Sequence, residues 1–270
     1  MRQGNGVEVA DDVKCIEDPR SKNAPMSHFF ARTLVMMSNS QIDKLGRDLR
    51  SGQINAENLK RLELFRAEFG EAYKAVEDLF VNKLKLRITG RPSKSTVAIV
   101  EKLKRETIRL SQIQDIAGCR VLVPDIGAQD RLVHVLDTML GRVVIDDKRD
   151  VPTHGYRAVH VIALHGNRPV EVQVRTFHQH AWAEISEKLA DIFGQSIKYG
   201  AGEPWVLKFL SELSDLTAKL EGVILQGNTV GSGEKFSRRM DIRARLIRKE
   251  KGFIEEIQRL FDRAKNRVEG

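Results

Sequence analysis

The chain has 270 residues, 41% hydrophobic and 30% charged, with a formal net charge of +8 at pH 7. That length suits one large domain or one domain with appendages, and the composition is that of a globular protein. No apolar run approaches the roughly 18 residues a membrane span needs, and two cysteines, Cys15 and Cys119, are too few for a disulfide framework. Met1 to Pro25 is polar and lacks the basic-then-apolar order of a secretory signal, so a cytoplasmic location is expected.

In chain order, residues 1–37 carry little periodic signal. A short helix is expected from Gln41 to Leu49, closed by Ser51-Gly52. A long amphipathic helix should follow from about Asn55 to Leu84, because Leu62, Phe65, Phe69, Tyr73, Val76 and Phe80 step by three and four. Lys85 to Thr89 reads as a short strand or the helix end, and Gly90-Arg91-Pro92-Ser93 as a break. Residues 95–110 read as a helix with Ile99 and Leu103 inward. Cys119–Val123 is an expected strand, Gly127–Leu140 a helix and Val143–Ile145 a strand. Tyr156–His165 and Pro169–Arg175 form a hairpin around Gly166-Asn167.

Helical periodicity returns over Phe177–Phe193, with Trp182, Ile185, Leu189 and Ile192 inward. It returns again over Pro204–Ile224, where Pro204 suits a first turn. Gln226–Gly233 is a linker by composition, and a basic helix is expected from about Lys235 to Arg267, with Gly252 its candidate break. From Glu234 to Gly270 there are 12 Lys and Arg against 7 Asp and Glu, a net +5. Such a tail either attracts polyanions or is a solvated helix face. The expected architecture is α+β, a mixed sheet flanked by N- and C-terminal helices. Its expected segments are 1–84, 85–200, 201–225 and 226–270.

The hairpin strand 170–175 alternates strictly. Val170, Val172 and Val174 point one way; Glu171, Gln173 and Arg175 point the other. A carboxylate, an amide and a guanidinium on one face suit a metal-bound, phosphorylated substrate. Asp115, just ahead of the Cys119 strand, is a turn residue or, with Glu171 as its second carboxylate, a Mg²⁺ ligand. Gly90–Ser95 fails the phosphate-loop test, since no glycine precedes Lys94-Ser95. Lys94, Lys102 and Arg105 can still share a helix face, which makes either a polyphosphate site or a solvated face. His178 and His180 face different ways on a helix and have no cysteine near them in sequence, which argues against zinc.

Three ordered motifs then coincide: Asp115-Ile-Ala-Gly-Cys-Arg120-Val, Gly155-Tyr156-Arg-Ala-Val-His160 and Val170-Glu171-Val-Gln-Val-Arg-Thr176. Together, over about residues 85–200, they resemble the synthetase domain of the RelA/SpoT alarmone synthetases. The resemblance implies a nucleotidyltransferase-like mixed sheet and a Mg²⁺-dependent transfer of the β,γ-diphosphate of ATP to the ribose 3′-hydroxyl of GDP or GTP. It implies Asp115 and Glu171 at the metal, with Glu171 deprotonating the hydroxyl. Lys94, Lys102 and Arg105 would grip the ATP phosphates, and Arg91 and Arg120 would sandwich its adenine. Tyr156 would stack on the acceptor base, with His160, Gln173 and Arg175 lining the centre.

This chain departs from the family pattern in four places. One extra residue separates Arg91 from Lys94. Ala98 replaces a usual serine. Ser186 and Glu187 replace a Glu-His pair, and Pro152-Thr153-His154 lacks the lysine that meets the acceptor's 5′-phosphates. Lys148 and Arg149 are the candidate substitutes. The acceptor-side departures keep a second reading open, transfer to the 3′-terminal adenosine of tRNA by a toxic small synthetase with an antitoxin partner. A third is an inactive nucleic-acid-binding module. Nothing before residue 85 resembles the His…His-Asp motif of the family's hydrolase half, so the chain resembles a small, stand-alone synthetase, and self-assembly stays open.

Overall fold

The computed structural model describes residues 37–229 together with Gly252, Glu255 and Arg259. Residues 1–36 and almost all of the expected basic helix lie outside the described residues; the three isolated positions are each helical.

Helix α1 (Asn39–Arg50) starts two residues earlier than the periodicity indicated. Ser38 caps it, accepting from the Gln41 amide while the Gln41 side chain accepts from the Ser38 amide. The expected single helix over 55–84 is instead α2 (Ala56–Ala67), α3 (Gly70–Asp78) and a π-helical turn, Leu79–Lys83. The break at Glu68-Phe69 has a tertiary cause. Arg168, from the distant hairpin, pairs with Glu68 and lies 5.3 Å from the ring centroids of both Phe65 and Phe69. Gly70 adds a weak helix former at the same point.

Strand β1 (Ile88–Arg91) runs through Gly90, so the break begins only at Pro92. A Cβ at Gly90 would overlap the Tyr73 hydroxyl, which is why glycine stands there. Helix α4 (Thr96–Arg105), capped by Ser95, stops five residues before the expected 110. Arg50 ends it by donating to the carbonyls of Leu103 (2.6 Å), Glu106 (3.2 Å) and Ile108 (2.5 Å). A side chain from α1 thereby satisfies groups that further helical turns would have taken.

Strand β2 (Ala117–Val123), helix α5 (Ile126–Leu140) and strand β3 (Val143–Asp147) follow, with Gly141 closing α5 at φ 67°. The hairpin is β4 (Val159–His165) and β5 (Arg168–Thr176). β4 begins three residues later than expected, because His154 (φ 52°) and Gly155 (φ 88°) turn the chain around Tyr156. A Cβ on Gly155 would come within 2.8 Å of Trp182 and 3.0 Å of the Leu210 carbonyl. Helix α6 (Phe177–Phe193) is capped by Thr176, and Ile192, expected inward, is half exposed. Helix α7 (Pro204–Thr229) takes in the first four residues of the stretch that reads as a linker.

The five strands order as β1-β2-β5-β4-β3, with β2 and β5 parallel and every other pair antiparallel. Val170, Val172 and Val174 are fully buried against a core that also takes Val121, Val161, Phe80 and Leu103. A second cluster joins α6 to α7 through Trp182, Leu189, Phe209 and Leu213. Among the described residues no helix is long and apolar enough to cross a membrane.

Candidate active site

The site is built on the face of β5 opposite the buried valines. In the parallel register Gly118 stands beside Glu171 and Arg120 beside Gln173; in the antiparallel one His160 stands beside Gln173. A Cβ on Gly118 would lie 2.8 Å from the Glu171 carbonyl oxygen, so this close strand approach depends on glycine.

Five side chains close a ring of hydrogen bonds. His160 Nδ1 lies 2.7 Å from Glu171 Oε1, and His160 Nε2 lies 2.8 Å from the Tyr156 hydroxyl. Arg175 Nη2 donates to that hydroxyl and to Gln173 Oε1, both at 2.8 Å. Gln173 Nε2 donates to Glu171 Oε2 at 3.1 Å. A guanidinium can only donate and an ionised carboxylate can only accept, so the bonds at Arg175 and at Glu171 have fixed directions. Tyr156 accepts from Arg175, and its hydroxyl also bonds His160 Nε2. His160 donates from Nδ1 to Glu171. Both arms of the ring start at Arg175 and end on the two oxygens of Glu171.

Burial alone would raise the Glu171 pKa. The hydrogen bond and electrostatic pull of His160, helped by Gln173, hold it below the usual glutamate range, while Asp115 pushes back. The carboxylate is therefore ionised at neutral pH, with its lone pairs oriented by its neighbours. Arg175 itself is buried, and its guanidinium carbon lies 5.0 Å from the centroid of the Tyr156 ring.

Asp115 precedes β2 and sits under the cations of the β1–α4 corner. Lys94 Nζ reaches Asp115 Oδ2 at 2.6 Å and Lys102 Nζ reaches Oδ1 at 3.0 Å. Arg91 donates to the Asp115 carbonyl at 3.1 Å. Burial would raise the Asp115 pKa, but Lys102 and Lys94 outweigh it and hold the group at about 2. Lys94 lies ahead of the Ser95 cap, outside α4, so it meets Lys102 on one carboxylate through the β1–α4 corner and not through a shared helix face. The two readings left open for this basic stretch separate here: both ammonium groups face inward.

One cavity of about 560 Å³ gathers all eleven residues singled out from the sequence: Arg91, Lys94, Lys102, Arg105, Asp115, Arg120, Tyr156, His160, Glu171, Gln173 and Arg175. Of the two candidate substitutes for the missing acceptor-side lysine, Lys148 lines the cavity, paired with Asp146 at 2.5 Å. Arg149 is not among the lining residues and is held by Asp147 and Asp130, each at 2.6 Å. Arg120 Nε is buried without a hydrogen-bond partner. The cavity also contains Lys198 and Tyr199, which sequence reasoning missed. No motif marks them; the only signal is the glycine bracket Gly194, Gly200 and Gly202, each at positive φ.

Among the described residues no group of three or more His, Cys, Asp or Glu side chains is disposed to hold a metal. The donor set fits a lighter demand. Asp115 and Glu171 face the same cavity and their charges interact. Mg²⁺ commonly takes one or two carboxylates and completes its shell with water and substrate phosphates.

Residues 90–190 match the family model described as a region found in RelA / SpoT proteins. Over these residues the chain is similar to that region. An uncharacterized protein of Mycobacterium tuberculosis (strain H37Rv) is 34% identical over 170 residues, which covers 60% of this chain and 62% of the relative. The match therefore spans less than two thirds of that relative's length. The GTP pyrophosphokinase YjbM of Bacillus subtilis is 28% identical over 169 residues, 56% of this chain and 77% of the relative. Among solved structures, small alarmone synthetase 1 from Bacillus subtilis bound to its product pppGpp is 22% identical. That match has a TM-score of 0.48 and covers 63% of this chain and 98% of the other. Every site residue on β1, α4, β2, β4 and β5 lies inside the matched stretch, while Lys198 and Tyr199 lie beyond its end.

Proposed function

We propose that the protein is a pyrophosphokinase that transfers the β,γ-diphosphate of ATP to the ribose 3′-hydroxyl of GDP or GTP. The observation that carries this reading is the convergence of two donor arms on Glu171 in the cavity that also holds Asp115 under Lys94 and Lys102.

A ribose hydroxyl is a weak nucleophile and needs a positioned base. Glu171 takes the 3′-hydroxyl proton as that oxygen attacks the β-phosphorus of ATP. The new O3′–Pβ bond forms, the bond from the β-phosphorus to the α-phosphate oxygen breaks, and AMP leaves with the electron pair. Charge gathers on the moving diphosphate and on AMP, and Lys94, Lys102 and Arg105 spread it. Asp115 and Glu171 would hold Mg²⁺, whose contribution when bound is to neutralise phosphate oxygens. Phosphates entering the site draw Lys94 and Lys102 away from Asp115, which frees its oxygens. Arg91 and Arg120, on paired strands, flank the place for adenine. Tyr156 offers its ring to the acceptor base while its hydroxyl stays in the network around Glu171.

A second reading keeps this chemistry and changes the acceptor to the 3′-terminal adenosine of tRNA. What favours it is the turn Pro152-Thr153-His154, which carries no lysine or arginine, and the commitment of Arg149 to Asp147 and Asp130. Lys148 is the argument for the first reading, since it can leave Asp146 for a 5′-phosphate. Incubation with γ-labelled ATP, Mg²⁺ and either GDP/GTP or deacylated tRNA separates the two. Label in the guanosine nucleotide is expected. Label in tRNA alone would replace the first reading with the second, and label in neither would contradict both.

A further inference from the structure

Gln195–Tyr199 is a short 3₁₀ turn between α6 and α7, and it lies past the end of the matched stretch. It nevertheless supplies part of the cavity wall. Ile197 is fully buried and anchors the turn in the cluster between α6 and α7. Gly200 packs so closely on the His154 ring that a Cβ there would overlap it. Lys198 is tied to Glu187 at 2.7 Å. With both flanks fixed, the Tyr199 ring is presented to α4, and the Arg105 guanidinium carbon lies 3.9 Å from its centroid. Arg105 also pairs with the Glu106 carboxylate, at 2.9 Å.

A guanidinium held over an aromatic face keeps N–H donors available for phosphate oxygens. The stack also removes rotamer freedom from a long side chain before the ligand arrives, so less is lost on binding. We infer that Tyr199 is a positioning residue for the donor nucleotide: it acts through Arg105, holding that guanidinium over its ring so that the N–H donors meet the phosphates of ATP. The inference rests on the proposed function, because it takes ATP as the donor.

The test uses the full chain. The KM for ATP is measured at saturating acceptor, and equilibrium binding of a non-hydrolysable ATP analogue is measured beside it. Tyr199→Leu is expected to raise both the KM and the analogue Kd about two- to five-fold, the range of a partly exposed cation–π contact. The acceptor KM should stay put. Tyr199→Phe, which keeps the ring face, should restore the ATP values, and Tyr199→Leu should add nothing in an Arg105→Ala background. Unchanged ATP binding in Tyr199→Leu, a shift in the acceptor KM instead, or effects that multiply with Arg105→Ala would each overturn the inference alone. A wild-type chain that binds no ATP analogue and transfers nothing would overturn the proposed function and this inference with it.

Discussion

His160 presents Nδ1 to Glu171 Oε1 at 2.7 Å while its other ring nitrogen is held by the Tyr156 hydroxyl. The imidazole is thereby held in one orientation, and so is the carboxylate it faces. Arg175 anchors the far side of the same ring, donating to both Tyr156 and Gln173. A carboxylate held this way would need no reorientation to act as the proposed base.

Glu171→Gln keeps the shape of the side chain and removes its basicity. Transfer should fall by roughly 100- to 10,000-fold, the usual worth of a positioned general base. The melting temperature should move little. A variant with wild-type turnover would remove Glu171 from the mechanism.

Tyr156 has two separable parts, and two substitutions read them apart. Tyr156→Phe removes the hydroxyl that links Arg175 to His160 and keeps the ring. It should lower the turnover number while the acceptor KM holds. Tyr156→Ala removes the ring as well and should raise the acceptor KM. An effect of either change confined to the ATP KM would reassign the residue to the donor side.

The sheet face that holds this network was legible in advance. The alternation Val170/Val172/Val174 against Glu171/Gln173/Arg175 is a period of two, and one buried face and one polar face follow from it. Lys94, Lys102 and Arg105 read as one helix face, but Lys94 stands ahead of the cap of α4 and joins Lys102 only at Asp115. What escaped reading has tertiary causes. The helix over 55–84 breaks where Arg168 reaches Glu68 across a hundred residues of chain. Helix α4 stops where Arg50 takes its carbonyls. Lys198 and Tyr199 reach the cavity only because Ile197 and Gly200 are packed by residues remote in sequence.

Asp115 carries a prediction about acid stability. Its folded pKa of about 2 lies below the ordinary aspartate value of 3.8. A carboxyl depressed on folding contributes stability that is fully present above the unfolded pKa and is lost as pH falls through the folded one. Urea unfolding should therefore show the wild type losing up to about 2 kcal/mol more than Asp115→Asn between pH 5 and pH 2. Parallel pH profiles for the two proteins would mean that Lys94 and Lys102 do not depress the group.

Gly90 offers a test of the β1 corner. Gly90→Ala drives a methyl group into the Tyr73 hydroxyl and should cost about 1–3 kcal/mol, read as a lower melting temperature. Tyr73→Phe, which removes that oxygen, should recover part of the loss in the double variant. A Gly90→Ala chain as stable as the wild type would show that α3 can move away from β1 at little cost.

The central claim is pyrophosphate transfer to a guanosine nucleotide, and product analysis tests it most directly. Phosphorus NMR of the protein with ATP, GDP and Mg²⁺ should show AMP and a guanosine 5′,3′-bisdiphosphate accumulating in equal amounts, and neither with Glu171→Gln. ADP with free phosphate, or ATP and GDP left intact, would contradict it.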